Sequence, residues 1–352
     1  MDTDTLRVFS FSGGGTKGYG ENYFIRKFLQ QWGVPQDNFR DYVDVMAGVS
    51  TGAILATSYA YGYAPMDVEP FYLEKAKRVF TIRNAADVAS GSHNASEDSN
   101  RPNMLQKIGI IGINNDAFYR SAYEDSNYGT NVLHQTMVDS FGTDTMANLA
   151  IPVVIPSVEQ DRSRPVYFAN FNDPAFFIGR DFKIVDVLRA TSAAYPYLPA
   201  YNFNGHEYID GAFLIGNAVD RAIKLGLTIK ANARRIVVVD VGAGIGRVGF
   251  DGDMPTTPSD LAVAKIFAYL DLLIANAEEN SRRNLEYEAS RLVSSYGLPL
   301  FYYKWQPIFP DTFSNEIDNS TASWFAELKD ILDIHYANES ANIASIITHL
   351  GA

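Results

Sequence analysis

The stretch V-D-V-M-A-G-V-S-T-G-A at residues 43–53 decides the fold of this 352-residue chain. Its first half is apolar and rich in β-branched residues, which favours a buried strand, and the residues after it favour a helix. Gly48, Ser50 and Gly52 place the pattern G-x-S-x-G between the two. In that position the pattern is typical of a tight, strained turn that exposes the serine hydroxyl. We therefore predict that Ser50 is a nucleophile at the N-terminus of a helix, whose amide groups favour a developing negative charge.

A glycine-rich loop precedes this turn. Residues 6–11 alternate as a strand does, and S-G-G-G-T-K-G at residues 12–18 separates them from a helical pattern. Consecutive glycines between a strand and a helix leave backbone amides that can converge on an anion, although a flexible turn would use the same residues. The loop is not a Walker motif, because Lys17 precedes the last glycine. A serine nucleophile needs such donors, so we predict an oxyanion hole formed by the amides of Gly13, Gly14 and Gly15.

Strand and helix patterns alternate along the rest of the chain. The continuous β-branched run at residues 235–241 is typical of a buried parallel strand, and residues 151–158 and 165–169 indicate a hairpin. Strands that alternate with helices predict an α/β fold, a doubly wound, mostly parallel sheet flanked by helices. No linker-like composition divides the chain. We therefore expect one domain over residues 1–352, with a catalytic core over about 6–258 and a helical C-terminal elaboration over about 259–352.

Composition limits the partners and the compartment. Lys and Arg total 29 against 41 Asp and Glu, and the net charge of −12 repels nucleic acid and anionic lipid at long range. Cysteine is absent, which excludes disulfides, thiolate metal sites and a cysteine nucleophile. No apolar run approaches the length of a membrane span, and the acidic N-terminus is unlike a signal peptide. We expect a cytoplasmic protein, or one exported without a cleavable signal peptide, and any membrane contact would have to use apolar rather than charged groups.

The identity of the general base stays open on these residues alone. A Ser-His-Asp triad in the chain order of α/β-hydrolases would use His335 or His349, but both lie in predicted terminal helices rather than in a loop after a late strand. A carboxylate is the other choice. Asp210 ends a short strand pattern and comes directly before Gly211, although Asp-Gly is also a common turn dipeptide.

A second motif could carry the function of the chain in place of the serine turn at residues 48–52. Residues 244–249, G-I-G-R-V-G, follow a strand and match the dinucleotide-binding pattern G-x-G-x-x-G. That pattern must open a helix at once, and residues 250–255, F-D-G-D-M-P, cannot continue one. We interpret the motif as a Gly-rich loop. On these residues alone two functions stay open, a generic serine esterase with a Ser-His-Asp triad and a non-enzymatic module that binds a nucleotide or anion at its Gly-rich loops.

Four motifs, taken in order, resemble the signatures of the patatin-like phospholipases. They are G-G-G-T-K-G at residues 13–18, G-V-S-T-G at 48–52, A-T-S-A-A at 190–194 and D-G-A at 210–212. The resemblance implies that Ser50 and Asp210 form a dyad without histidine, in which Asp210 is the base. It also implies that Gly13, Gly14 and Gly15 hold the oxyanion, with support from Lys17, Gly18, Gly48, Gly52 and Gly211. The chain departs from the family with Ser12 for the common aspartate, Lys17 for the frequent arginine and Ala218 for the usual proline.

The same resemblance implies a lipid acyl hydrolase of the phospholipase A or lysophospholipase type. It would cleave carboxylic esters of membrane lipids through an acyl-serine intermediate, with no metal and no cofactor. Its partners would be a phospholipid or other acyl-lipid substrate, a membrane surface, and a protein or small-molecule activator that the sequence does not specify. We expect membrane contact through the long polar loop at residues 84–115, or through an aromatic cluster of Phe168, Phe171, Phe176 and Phe177.

Overall fold

The described strands of the protein are short, and glycine or serine directly follows several of them. The structure is a computed structural model that describes residues 4–80, 131–171, 173, 177–194, 197–246, 274, 277, 279–287, 291, 297–315 and 317–351. Its strands are β1 (Thr5–Phe11), β2 (Val45–Gly48), β3 (Val153–Glu159), β4 (Arg164–Ala169), β5 (Tyr201–Phe203), β6 (His206–Asp210), β7 (Arg235–Val241) and β8 (Leu300–Trp305).

These described strands form one sheet in the order β5-β6-β3-β2-β1-β7-β8, with β4 paired to β3 outside that row. Four pairs are parallel, namely β1 with β2 and β7, β2 with β3, and β7 with β8. The pairs that join β3 to β4, β3 to β6 and β5 to β6 are antiparallel. The sheet is therefore mostly parallel, as the alternating strand and helix patterns predict. Because β1 and β2 end side by side at Phe11 and Gly48, the glycine loop and the serine turn leave the same edge of the sheet.

Helices cover both faces of this sheet. They are α1 (Gly18–Trp32), α2 (Thr51–Tyr61), α3 (Pro65–Pro70), α4 (Ala76–Val79), α5 (Asn131–Phe141), α6 (Ile184–Thr191), α7 (Val219–Ile229), α8 (Ala322–Asn338) and α9 (Ser340–Leu350). Alternate residues of β1 belong to different apolar clusters. Phe9 and Phe11 pack with α1 and α2 residues, whereas Leu6 and Val8 pack with residues of α7. This period of two is the reason that the sheet buries both faces.

The helical segment from residue 65 to residue 79 is interrupted. It consists of α3, a π-helix at Phe71–Lys75 and α4. Pro70 lies inside this run and has no N–H to donate, so the regular hydrogen-bond ladder cannot pass through it. The short strand β5 and the 3-10 helix Gln36–Tyr42 were not predicted, because three to seven residues carry too little periodicity. Within the described part of the C-terminal elaboration predicted over about 259–352, residues 274, 277, 279–287 and 291 are helical, and β8, α8 and α9 follow them.

Within the described residues, none of the helices combines the length and the apolar character that crossing a lipid bilayer requires.

Candidate active site

Ser50 lies at the apex of the turn between β2 and α2. It is the N-cap residue of α2, with a positive φ of 55° and a ψ of −127°. A non-glycine residue held there costs about 1–3 kcal/mol, so its surroundings must hold it in place. The two glycines of the motif allow the close packing: a Cβ on Gly48 would lie 2.3 Å from the carbonyl oxygen of Gly52, and one on Gly52 would lie 2.3 Å from that of Phe11. This is the strained strand-to-helix turn that G-x-S-x-G predicts.

Asp210, the last residue of β6, hydrogen-bonds the hydroxyl of Ser50. Its Oδ1 also accepts a hydrogen bond from the N–H of Ala212 at 2.8 Å, and its own N–H donates to the carbonyl of Ala193 at 3.0 Å. The residue is only 2% exposed. Burial raises the pKa of its carboxyl group from 3.8 to about 7, and the hydrogen bonds from Ser50 and Ala212 oppose that rise. The arrangement provides a serine hydroxyl beside a carboxylate that is more basic than an exposed one.

Thr191, at the end of α6, fixes the serine turn from outside. Its Oγ1 accepts a hydrogen bond from the N–H of Ser50 at 3.1 Å and donates one to the carbonyl of Pro156 at 2.6 Å. The motif at residues 190–194 marked this segment in the sequence, but no residue-level role followed from it. The same carbonyl explains the glycine after the aspartate, because a Cβ on Gly211 would lie 2.5 Å from the oxygen of Pro156.

The glycine loop lies directly against the serine. A Cβ on Gly13 would approach the Cβ of Ser50 to 2.7 Å. The N–H of Gly14 donates a long hydrogen bond of 3.3 Å to the Oγ1 of Thr51, so one of the three expected donors already has an acceptor. Among the described residues, no acceptor pairs with the N–H of Gly13 or of Gly15. The loop thus contains two backbone donors without an acceptor among the described residues, and one of them, Gly13, packs against Ser50.

A segment before α8 covers this loop from the other side. The carbonyl of Ile317 accepts hydrogen bonds from the N–H and the hydroxyl of Thr16, at 2.7 and 3.1 Å. The buried ammonium group of Lys17 donates to the Oδ1 of Asn315 at 3.0 Å. Gly15 has a positive φ of 59°, and a Cβ there would lie 1.9 Å from the Ile317 oxygen, so only glycine fits. Sequence reasoning missed this cover, because Asn315 and Ile317 lie 298 to 301 positions along the chain from the loop residues that they contact.

Ser12, the first residue of the loop, has a partner that explains why a hydroxyl can stand there. Its Oγ accepts a hydrogen bond from the ammonium group of Lys304 at 3.1 Å. The same ammonium group forms an ion pair of 3.1 Å with Asp240, whose side chain is fully buried. The start of the glycine loop is therefore tied to β8 and, through it, to β7.

An apolar pocket, here called the Ser50 pocket, opens beside the hydroxyl of Ser50. Aliphatic and aromatic side chains from α2, the π-helix, α4, α5 and the segment after α6 supply most of its walls: Ile54, Phe71, Tyr72, Ala76, Val79, Phe80, Leu133, Ala194, Tyr197 and Leu198. Gly18 allows Tyr72 to pack closely, because a Cβ there would lie 2.6 Å from the tyrosine hydroxyl. Each methylene group buried in such surroundings contributes about 0.8 kcal/mol, so the pocket favours a hydrocarbon chain.

The two histidines considered as triad members lie on another part of the sheet. His349 stacks on Phe301 at a ring distance of 4.0 Å, and His335 packs edge-on against Trp305 at 5.4 Å. Both contacts are with β8. Within the described part of the chain, neither histidine hydrogen-bonds Ser50.

A cluster at the turn between β3 and β4 brings metal-ligating groups together. Carboxylate oxygens of Glu159 and Asp161 and a ring nitrogen of His206 lie within 4.8 Å of one another. The carboxylate of Glu159 is also paired with Arg164 at 2.6 Å and with Arg162 at 3.2 Å. These guanidinium groups supply the positive charge that a cation would supply, so we interpret the cluster as an ion-pair network.

The expected membrane contacts divide between buried and undescribed residues. Phe168 and Phe177 are 0% and 3% exposed and belong to the apolar core, so the expectation that they face lipid is wrong. Phe171 is partly buried against the apolar cluster that contains Phe177. Phe176, the loop at residues 84–115 and the last three residues of the G-x-G-x-x-G motif lie outside the described residues.

Comparison with known proteins assigns the chain to a family. Residues 9–223 match the family model described as Patatin-like phospholipase. The chain is 26% identical over 223 residues to a cGAMP-activated phospholipase of Escherichia coli, a match that covers 62% of this chain and 54% of that protein. It is 22% identical over 333 residues to Patatin-like protein 4 of Arabidopsis thaliana, covering 89% and 70%. The chain spans about half the length of the cGAMP-activated relatives that it matches, at 54 to 55%.

Two solved structures resemble the chain more distantly. VipD of Legionella pneumophila is 15% identical, with 94% of this chain and 67% of that chain covered at a TM-score of 0.39. The human GIVD cytosolic phospholipase A2, in complex with methyl gamma-linolenyl fluorophosphonate, is 9% identical, with 99% and 60% covered at a TM-score of 0.43. The fold assignment rests on the observed sheet and the family model rather than on these two superpositions.

Proposed function

The chain belongs to the patatin-like phospholipase family, and from that premise we propose that it is a lipid acyl hydrolase that cleaves carboxylic esters of membrane lipids. The observation that carries the proposal is the hydrogen bond between Ser50, on its strained turn, and the buried carboxylate of Asp210. The proposed activity is of the phospholipase A or lysophospholipase type.

In the proposed first half-reaction, the hydroxyl of Ser50 attacks the ester carbonyl carbon while Asp210 takes the hydroxyl proton. The tetrahedral intermediate then collapses, the ester C–O bond breaks, and the leaving alkoxide takes the proton from Asp210. The product that stays behind is an acyl ester of Ser50. In the second half-reaction Asp210 takes a proton from water, the resulting hydroxide attacks the acyl ester, and the proton returns to Ser50 as the fatty acid leaves.

The charge that develops on the carbonyl oxygen needs donors in place before the reaction. We propose that the N–H groups of Gly13 and Gly15 supply them, joined by that of Gly14 when it leaves its long bond to Thr51. The cover formed by Ile317 holds the loop in this position. Loss of one such donor typically lowers turnover by about 10²–10³.

The substrate class follows from the wall of the Ser50 pocket, which is apolar and adjoins the proposed nucleophile. A fatty acyl chain would fill it, and the polar head of the lipid would remain outside. We propose peripheral contact with the membrane through apolar groups, because the net charge of −12 disfavours docking on anionic lipid. The head group and the position of the cleaved ester are open.

The test is covalent labelling combined with product analysis. A fluorophosphonate probe should label the purified chain at Ser50, and phosphatidylcholine vesicles should release free fatty acid. Ser50→Ala should abolish both, and Asp210→Asn should abolish turnover in a folded protein. Ser163→Ala is the matched control, because Ser163 also has a positive φ, of 49°, but lies on the turn between β3 and β4. Assays are run with and without cGAMP, since several relatives are named as cGAMP-activated phospholipases.

The same experiment separates the alternatives. An esterase with a histidine triad would lose activity when His335 and His349 are replaced by alanine, whereas a Ser-Asp dyad would keep it. A module that only binds an anion or a nucleotide would neither react with the probe at Ser50 nor release fatty acid, and that result would overturn the proposal.

A further inference from the structure

The Ser50 pocket shares a wall with a second cavity. This rear cavity lies between α2, the segment from α3 through the π-helix, and α5, and its apolar walls are Val68, Pro70, Met137 and Phe141. Ile54 and Phe71 line both spaces, so these two side chains stand between them. Exposed Asp67 and Asp139 lie at the rim of the rear cavity, which therefore opens to solvent.

The two spaces follow one another along a single face of α2. Ser50, Ile54 and Ser58 are spaced four residues apart, which places them on the same side of the helix. Ser50 lines the first space, Ile54 lines both and Ser58 lines the second. At 1.5 Å per residue, Ser58, which lines the rear cavity, lies roughly 12 Å along the helix axis from the proposed nucleophile. An acyl chain that is attached at Ser50 and runs along α2 would therefore reach Ile54 and Phe71 before it reaches the rear cavity.

Ile54 and Phe71 form the partition between the two spaces, and the Phe71 side chain is the less tightly packed of the two. Ile54 is 4% exposed and sits in the regular helix α2, where ten of eleven residues are buried. Phe71 is only partly buried and is the first residue of the π-helix that follows Pro70. Its ring meets Tyr72 edge-on at 5.1 Å. Single π-helical turns of this kind are frequent at functional sites.

From this geometry, and resting on the proposed function, we propose that Phe71 sets the length of acyl chain that the enzyme accepts. Its ring, packed beside Ile54, ends the Ser50 pocket. A chain short enough to stop before the ring fits, and a longer one needs the rear cavity. The occupant assigned to the rear cavity is the distal part of a long acyl chain, whose methylene groups would contact Val68, Met137 and Phe141.

The test compares chain-length profiles of folded variants. Turnover is measured on p-nitrophenyl butanoate, octanoate, decanoate and palmitate, each in the same detergent. Phe71→Ala removes the aromatic part of the partition and leaves Ile54, and the ratio of palmitate to butanoate turnover should rise by about tenfold or more, the discrimination typical of methylene groups in an apolar pocket. Phe71→Trp should lower the same ratio. Leu73→Ala is the matched control, because Leu73 lies in the same π-helix, is 45% exposed and lines neither space.

The outcomes separate this inference from the function on which it rests. A folded Phe71→Ala protein with the wild-type profile, or a Leu73→Ala protein with an equal shift, overturns the role of Phe71 and leaves the hydrolase proposal intact. Wild-type protein that hydrolyses none of the four esters overturns both. A rise in the ratio for Phe71→Ala together with a fall for Phe71→Trp supports the partition.

Discussion

The hydroxyl of Thr191 accepts the hydrogen bond of the Ser50 N–H at 3.1 Å, although the two residues are 141 positions apart. The same hydroxyl donates a hydrogen bond to the carbonyl oxygen of Pro156, so Thr191 joins the end of α6 to β3 and to the serine turn. Ser50 has a positive φ, which costs about 1–3 kcal/mol in a non-glycine residue. The contact from Thr191 is one of the interactions that offset this cost and fix the direction of the Ser50 side chain.

We predict that Thr191→Val lowers turnover and stability together, while Thr191→Ser keeps both near wild type. Valine has the shape of threonine but no hydroxyl, so the Ser50 N–H and the Pro156 carbonyl would each lose a buried partner. An unsatisfied buried group costs about 1–3 kcal/mol. Thermal unfolding and kcat on a soluble ester measure the two effects. Equal kcat in the valine and serine variants would show that the turn needs no support from Thr191.

The sequence predicted the local parts of the site and missed what holds them together. The turn at Gly48, Ser50 and Gly52 was predictable because its geometry depends on adjacent residues and on two glycines that admit neighbouring backbone. Thr191 contacts that turn from 141 positions further along the chain. Ile317 contacts the glycine loop from 301 positions further along the chain. No periodicity within either segment encodes such a contact, so only the folded chain reveals it.

We predict that turnover of a soluble ester rises with pH and levels off above about pH 7. Asp210 must be ionised to accept the proton of Ser50, and burial raises its pKa to about 7. Below that pH the protonated acid has no place for a second proton, so kcat/KM should fall tenfold per pH unit. A soluble ester is used so that membrane binding does not contribute. A profile that stays flat from about pH 5 to about pH 9 would contradict the assignment of Asp210 as base.

We predict that Asp210→Asn stabilises the fold in a pH-dependent way. The folded pKa of about 7 lies above the value of 3.8 for an exposed carboxyl, so the native state holds the proton more tightly than the unfolded chain does. This contribution to stability is complete below about pH 4, decreases as pH rises toward 7, and is gone above the folded pKa. Asparagine cannot ionise, so it escapes this loss, which amounts to up to about 4 kcal/mol at about 1.4 kcal/mol per pKa unit.

The measurement for Asp210→Asn is the free energy of unfolding in urea at two pH values. The difference between variant and wild type should be larger at about pH 8 than at about pH 4, where both side chains are neutral in the native state. Comparing the two pH values cancels those effects of the substitution that do not depend on pH. An equal difference at the two values would show that the native carboxyl titrates as an exposed one.

Folding accounts for the rest of what the sequence left open. The chain offered either a histidine or a carboxylate as base, and only the packing of β6 against β3 brings Asp210 to the serine turn, through register with Ser157. The helical segment from residue 65 to residue 79 contains Pro70, a visible signal of interruption, yet the π-helix that results could not be placed from one proline. Local chemistry thus predicted elements and candidate residues, and tertiary packing places one of the candidate bases, Asp210, beside Ser50.

The last prediction concerns Gly14, whose replacement can be compensated. A Cβ on Gly14 would lie 2.6 Å from the Cβ of Ala243, and the next nearest atoms, from Lys17, lie at 3.5 Å. One methyl group therefore stands in the way of Gly14→Ala, and the glycine loop must move to avoid it. We expect Gly14→Ala to lower kcat by about 10²–10³, the typical effect of losing one oxyanion donor. The double variant Gly14→Ala with Ala243→Gly removes the obstructing methyl and should recover most of the turnover.

Gly13→Ala is the contrast, because its Cβ would lie 2.7 Å from the Cβ of Ser50 itself, and no substitution can remove that atom without removing the proposed nucleophile. If the folded double variant stays as inactive as Gly14→Ala, the loop fails for a reason other than this contact; if Gly14→Ala alone is fully active, the position of the Gly14 amide does not matter for turnover.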